Sequence, residues 1–120
     1  MYNIEIYEDA KGRSDIQELL EDLHRRAPVN KDARINFTKI TAYIDTLAEL
    51  GTRVGEPVTK HLTGEIWELR PLSNRILYAY YDADTFLLLH HFVKKTQKTP
   101  AREIEKAKGE IEDYKRRHRK

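Results

Sequence analysis

The run TFLLLHHFVKK, residues 85–95, limits what this chain can fold into more than any other stretch. It is nearly continuous in apolar residues and too short for an ordinary helix, which fits a central strand covered on both faces. Two strand-like segments precede it. EIWELR (65–70) sets Trp67 and Leu69 on one face and Ile66, Glu68 and Arg70 on the other. RILYAYY (75–81) is rich in residues that suit a pleated surface. The links PLSN and DAD are short enough for hairpins, so the spacing predicts an antiparallel meander.

The rest of the chain supplies the layers that such a strand requires. YNIEIY alternates as a half-buried strand and ends at Gly12 and Arg13. Ser14 with Gln17 is a capping-box arrangement, and Ile16, Leu19, Leu20 and Leu23 follow at helical spacing until Pro28. Asn30 is a good N-cap for a second helix carrying Ala33, Phe37, Ile40, Ile44 and Leu47 on one stripe, with Gly51 as its stop. Residues 51–64, with their glycines and proline, read as loop. Thr99 reads as a cap and Pro100 as the first turn of a last helix bearing Ile104, Ala107, Ile111 and Tyr114. The order strand, helix, helix, three strands, helix predicts one α+β domain over residues 1–120, an antiparallel sheet carrying helices.

Composition removes several function classes. The chain has no cysteine, which excludes disulfides, zinc-thiolate sites and a cysteine nucleophile. The N-terminus lacks a signal-peptide pattern, and no apolar run approaches the roughly 18 residues of a membrane helix, so a cytoplasmic location without membrane attachment is expected. Charge is uneven. Residues 1–59 hold 8 Lys/Arg against 11 Asp/Glu, and residues 60–120 hold 14 against 9, giving −3 and +5 within a total of +2. That asymmetry points to an anionic partner for the C-terminal half, or to a solvated basic helix end at residues 115–120, KRRHRK.

Metal chemistry is poorly supported. His90 and His91 are adjacent on a strand and point to opposite faces, and no His-x-x-x-His spacing occurs. Glu65 and Glu68 read as ordinary strand residues, and Asp82 and Asp84 as turn residues. The cations carry more information. Meander topology brings Arg70, Arg75, Lys94 and Lys95 to one end of the sheet, with Glu68 the nearest acid. Gathering like charges suits a phosphate-binding patch, for which the arginine fork is well shaped, whereas a solvated sheet rim is the plainer alternative. Tyr78, Tyr80, Tyr81 and Phe92 offer base-stacking faces or belong to the core.

The ordered combination EIWELR, RILYAYY and LLLHHFVKKTQKTPAREIEKA resembles the HigB-like, phage-derived branch of the RelE/ParE toxin superfamily, over roughly residues 58–114. The run FVKKTQKTP followed by EIEKA is its most specific part; His91 departs from it where a smaller residue is expected, which leaves open which histidine faces the site. The resemblance implies a RelE-like β-α-α-β-β-β-α fold and a toxin of a type II toxin–antitoxin pair. It further implies a metal-independent, cofactor-free mRNA interferase that cleaves translated mRNA, commonly on the ribosome. The implied partners are a HigA-like helix-turn-helix antitoxin, and operator DNA through the antitoxin complex only. Carried onto this chain, the family's recurring basic positions fall on Arg70, Arg75, Lys94, Lys95 and Lys98; the roles expected here are Arg70 and Arg75 on the scissile phosphate, Lys94 or Lys95 in proton transfer, and Lys60, Lys98, Phe92 and Tyr78 in RNA binding. Two readings stay open beside it: a ParE-like poison of DNA gyrase and a non-catalytic nucleic-acid-binding module.

Overall fold

The N-terminal helices start where their caps put them. In a computed structural model, which describes residues 1–118, α1 spans Asp15–Arg26 and α2 spans Lys31–Leu50. Ser14 Oγ accepts from Gln17 N at 3.1 Å, and Asn30 Oδ1 accepts from Ala33 N at 2.8 Å. Each such cap is worth about 1 kcal/mol. The capping box is half made, because the Gln17 side chain reaches forward to Glu21 instead of back to Ser14. At Gly51, φ is 66° and a Cβ would come within 2.7 Å of the Tyr2 ring, so glycine both ends α2 and lets the first residues of the chain pack there.

Strands β1 (Asn3–Ile6), β2 (Thr59–Thr63), β3 (Ile66–Leu69), β4 (Asn74–Asp82) and β5 (Thr85–Val93) form one sheet in the order β1-β5-β4-β3-β2. Helix α3 spans Ala101–Arg117. The meander β3-β4-β5 is antiparallel as its links demand, while β1 runs parallel to β5, with Asn3 opposite Thr85. The sheet is therefore mixed instead of wholly antiparallel. Residues 59–63, expected as loop, form the edge strand β2. An edge strand covered on one side needs little apolar content, and here only Thr59 is buried, so the alternation that marks a strand is missing.

Helices cover both faces, and each face has its own core. Ile16, Leu23, Ala33, Ile40 and Leu47 of α1 and α2 pack on Leu69, Ile76, Tyr78, Phe86 and Leu88. Ala107, Ile111 and Tyr114 of α3 pack on Ile66, Leu77, Ala79, Leu87 and Leu89. Strand β5 is thus covered on both sides, although the middle of the sheet is β4. The architecture is α+β and compatible with a RelE-like fold. Among the described residues no helix is long and apolar enough to cross a membrane.

A register shift in β5 decides which residues reach which face. Tyr78 pairs with Leu88 but Leu77 pairs with His90, so Leu89 is the extra residue of a β-bulge. Leu89 and His90 then both face α3, His91 faces the α1 side, and Phe92 lies opposite Arg75. Strict alternation from Leu87 would have reversed His90, His91 and Phe92.

A cationic cleft as candidate active site

Where β4 begins and β5 ends, the α3 face of the sheet opens into a cleft of about 610 Å³. Its floor is Glu68, Arg75 and Phe92; its wall is the loop Val93–Thr99; and its far side is Pro100, Arg102 and Glu103 at the start of α3. Arg75, Lys94, Lys95, Lys98 and Arg102 face only two carboxylates in this lining, Glu68 and Glu103. Both carboxylates are already engaged within the protein.

Arg75 is the most firmly built of these groups. Only 6% of it is exposed, and its Nη1 donates to the carbonyls of Leu72 and Asn74, each at 2.8 Å. Leu72 holds its carbonyl there from a left-handed backbone, φ 57°, which costs a non-glycine residue about 1 kcal/mol or more. Burial, and then the neighbouring Arg70 cation, pull the Arg75 guanidinium below its ordinary pKa, with Glu68 opposing them. Among the described residues Nη2 of Arg75 makes no hydrogen bond, so a fixed guanidinium keeps donors for an incoming anion.

Glu68 ties the cluster together. Its side chain is 4% exposed; Oε1 lies 3.6 Å from Arg70 Nε and 3.9 Å from Arg75 Nε, while Oε2 accepts from the Thr99 hydroxyl at 2.6 Å. Neither arginine distance is a hydrogen bond, and among the described residues Arg70 Nε is buried without a hydrogen-bond partner. One carboxylate facing two guanidiniums leaves positive potential in place instead of cancelling it. Arg70 follows β3, with its backbone N donating to Val58 and its Nη1 3.5 Å from Glu56, and it flanks Glu68 outside the cleft lining.

The remaining sequence candidates fall into three groups. Lys94, Lys95, Lys98 and Phe92 line the cleft; Lys94 N donates to Ser73 O at 2.7 Å, which ties the strand exit to the β3–β4 turn. Lys60 sits on β2 opposite Glu68, exposed and beyond the lining. Tyr78 cannot serve as a stacking surface. It is 0% exposed, its hydroxyl lies 2.6 Å from Thr59 Oγ1, and its ring packs edge-on against Phe86 in the core beneath α1 and α2. Burial pushes its phenol up to about 12. Its place at an even step from Ile76, on the face away from Arg75, is the reason.

Sequence reasoning named Glu68 only as the nearest acid and missed Thr99, Arg102 and Glu103 as parts of this site. Thr99 was expected to cap α3; Pro100 is the N-cap, without a side-chain hydrogen bond, and the Thr99 hydroxyl goes to Glu68 instead. The signal available for Glu68 was parity, since it shares a strand face with Arg70. Of the basic tail, Lys115 pairs with Glu65 at 3.1 Å, and Arg116 and Arg117 pair with Asp113 at 3.0 and 2.7 Å. Arg117 also donates to the Glu8 carbonyl. Residues 119 and 120 of that tail lie outside the described residues.

No curated protein matches this chain. A family model described as "Phage derived protein Gp49-like (DUF891)" matches residues 29–112, a stretch that contains every residue lining the cleft. That family is part of the RelE/HigB-type toxin superfamily and is associated with toxins of toxin–antitoxin systems. With well over half of its length matched, the chain belongs to the phage-derived Gp49-like family.

Proposed function

We propose that this protein is a HigB-like toxin acting as a metal-independent endoribonuclease on translated mRNA, with the cleft between β3–β5 and α3 as its active site. The observation that carries the reading is Arg75: a buried guanidinium, anchored to two backbone carbonyls, in a cleft with five cations and two engaged carboxylates. A phosphodiester fits such a site because arginine donates two parallel hydrogen bonds to phosphate oxygens.

In this reading the substrate supplies the nucleophile. The 2′-OH gives its proton to a base and attacks the adjacent phosphorus; the P–O5′ bond breaks; the 5′-oxygen takes up a proton. The products are a 2′,3′-cyclic phosphate and a 5′-hydroxyl. Arg75 and Arg70 stabilise the charge that builds on the phosphoryl oxygens. Lys94 or Lys95 transfers protons. Lys98 and Lys60 hold the RNA backbone, and Phe92 stacks on a base. A toxin–antitoxin family implies an antitoxin. Here it is a HigA-like helix-turn-helix protein, which covers the toxin and carries it to operator DNA; the ribosome presents the mRNA.

The test is to map RNA ends on translated mRNA after induction. New ends bearing 2′,3′-cyclic phosphate are expected with the wild-type chain. They disappear in Arg75→Ala and in Lys94→Ala, each losing about a hundredfold or more in rate, the usual cost of one transition-state donor. Intact mRNA with supercoiling defects would move the assignment to a gyrase poison.

A further inference from the structure

His90 is wholly buried, and the cleavage chemistry above gives it no task. It lies on β5 beneath α3, with Nδ1 2.6 Å from Glu110 Oε1 and Nε2 3.0 Å from Glu103 Oε1. An ionised carboxylate only accepts, and a neutral imidazole carries a single N–H. Two such contacts therefore contain two protons: either both ring nitrogens are protonated, or one carboxyl is. Removing one proton sets lone pair against lone pair inside a buried site, and that contact is lost.

What these contacts hold is the start of α3. Pro100 offers no side-chain cap, so locally the first turn has only the backbone bond from Glu103 N to the Pro100 carbonyl at 3.0 Å. It is also held from the sheet, through Glu103 by His90 and through Thr99 by Glu68. The lysine loop runs directly from Val93 of β5 into that turn, and Arg102 and Glu103 line the cleft beside it. The other charged groups nearby carry no proton into these two contacts: Arg102 Nε is 3.7 Å from Glu103 Oε2, the far oxygen, and Lys106 and Arg13 share a groove with Glu110, Tyr7, Asp9, Asp15 and Glu18 without an ion pair to Glu110 among the described residues. From β4 the cross-strand neighbour is the apolar Leu77, and on the opposite face His91 is engaged with Asp15.

We propose that His90 is a positioning residue: a two-proton Glu103–His90–Glu110 unit locks the first turn of α3, and with it the lysine loop, against Arg75. The cleft then grips a phosphodiester only while the unit keeps both protons. The choice of ligand rests on the RNA-cleaving reading; the positioning rests on the contacts alone.

The test uses the full chain in two measurements. First, the His90 ring and the backbone amides of residues 94–103 are followed by NMR as pH rises. The amides are expected to shift together with the ring in the wild-type protein and to show no such step in His90→Asn. Amides that stay fixed while the ring titrates overturn the proposal. Second, binding of an uncleavable 2′-O-methyl RNA octamer is measured across the same range. Affinity is expected to fall about tenfold through the step, the equivalent of one hydrogen bond to a charged group. Glu110→Gln keeps the side chain's size but can donate to Nδ1, so its binding profile is expected to be flat with pH; a wild-type profile retained in Glu110→Gln overturns the proposal, as does one retained in a folded His90→Asn. Should the wild-type chain bind no octamer at any pH, the RNA reading fails, and the amide titration still decides the role of His90.

Discussion

Tyr78 and Phe92 are both aromatic residues of adjacent strands, yet only one of them can meet a nucleotide. Phe92 stands opposite Arg75 at the cleft, whereas Tyr78 is sealed in the core beneath α1 and α2. Phe92→Leu keeps apolar bulk but removes the π-face, so the affinity for a single-stranded RNA oligomer is expected to drop by about 1–3 kcal/mol. Tyr78→Phe removes only the contact with Thr59; about 1 kcal/mol of stability is lost in urea unfolding and the RNA affinity is unchanged. Nothing in the sequence ranks these two residues. The face of Phe92 depends on an extra residue at Leu89, and a bulge in an unbroken leucine run leaves no mark in the pattern. The same bulge settles which histidine lies under α3, and it makes His90, not His91, the neighbour of the cleft.

The helices were readable because each announces itself locally. Ser14 and Asn30 cap, the apolar stripes repeat, and the observed spans Asp15–Arg26 and Lys31–Leu50 follow from them. Strand β2 and the start of α3 were not, since their cues are tertiary: an edge strand with one buried residue, and a helix start held by the sheet. At its other end α3 is tied to the beginning of the chain. Tyr7 donates to Asp113 at 2.7 Å, and Arg117 pairs with the same carboxylate. First Arg117 and then Tyr7 hold the Asp113 carboxyl down at about 2. The unfolded value is about 3.9, so this contact stabilises the fold above that pH and is lost as pH falls towards 2. Acid unfolding of Asp113→Asn is therefore expected to show a smaller loss of stability between about pH 4 and pH 2 than the wild-type chain, as measured by circular dichroism.

At the scale of the molecule, five strands with helices on both faces deliver an electrostatic asymmetry: one end of the sheet carries the cationic cleft. The charge count of the two halves foreshadowed this, and hairpin topology sufficed to place Arg75 near Lys94. It also named Glu68 as the nearest acid; what it could not supply was the contact between that carboxylate and the Thr99 hydroxyl. Binding of single-stranded RNA is expected to weaken steeply with salt. Lys95→Ala and Lys98→Ala should each reduce the slope of log K against log salt by about 0.7, the value for one phosphate contact on a single strand.

The pairing of β1 with β5 also sets an order of assembly. Asn3 must wait for Thr85, and the wall of the cleft comes from residues later still, so the edge of the sheet closes across most of the chain. Closing so long a loop is a slow, late step compared with forming α1 and α2, whose contacts are local. A chain interrupted before residue 85 has a strand without a partner and no cleft at all. The protein thus gains its cationic site only once the chain has been made through residue 103.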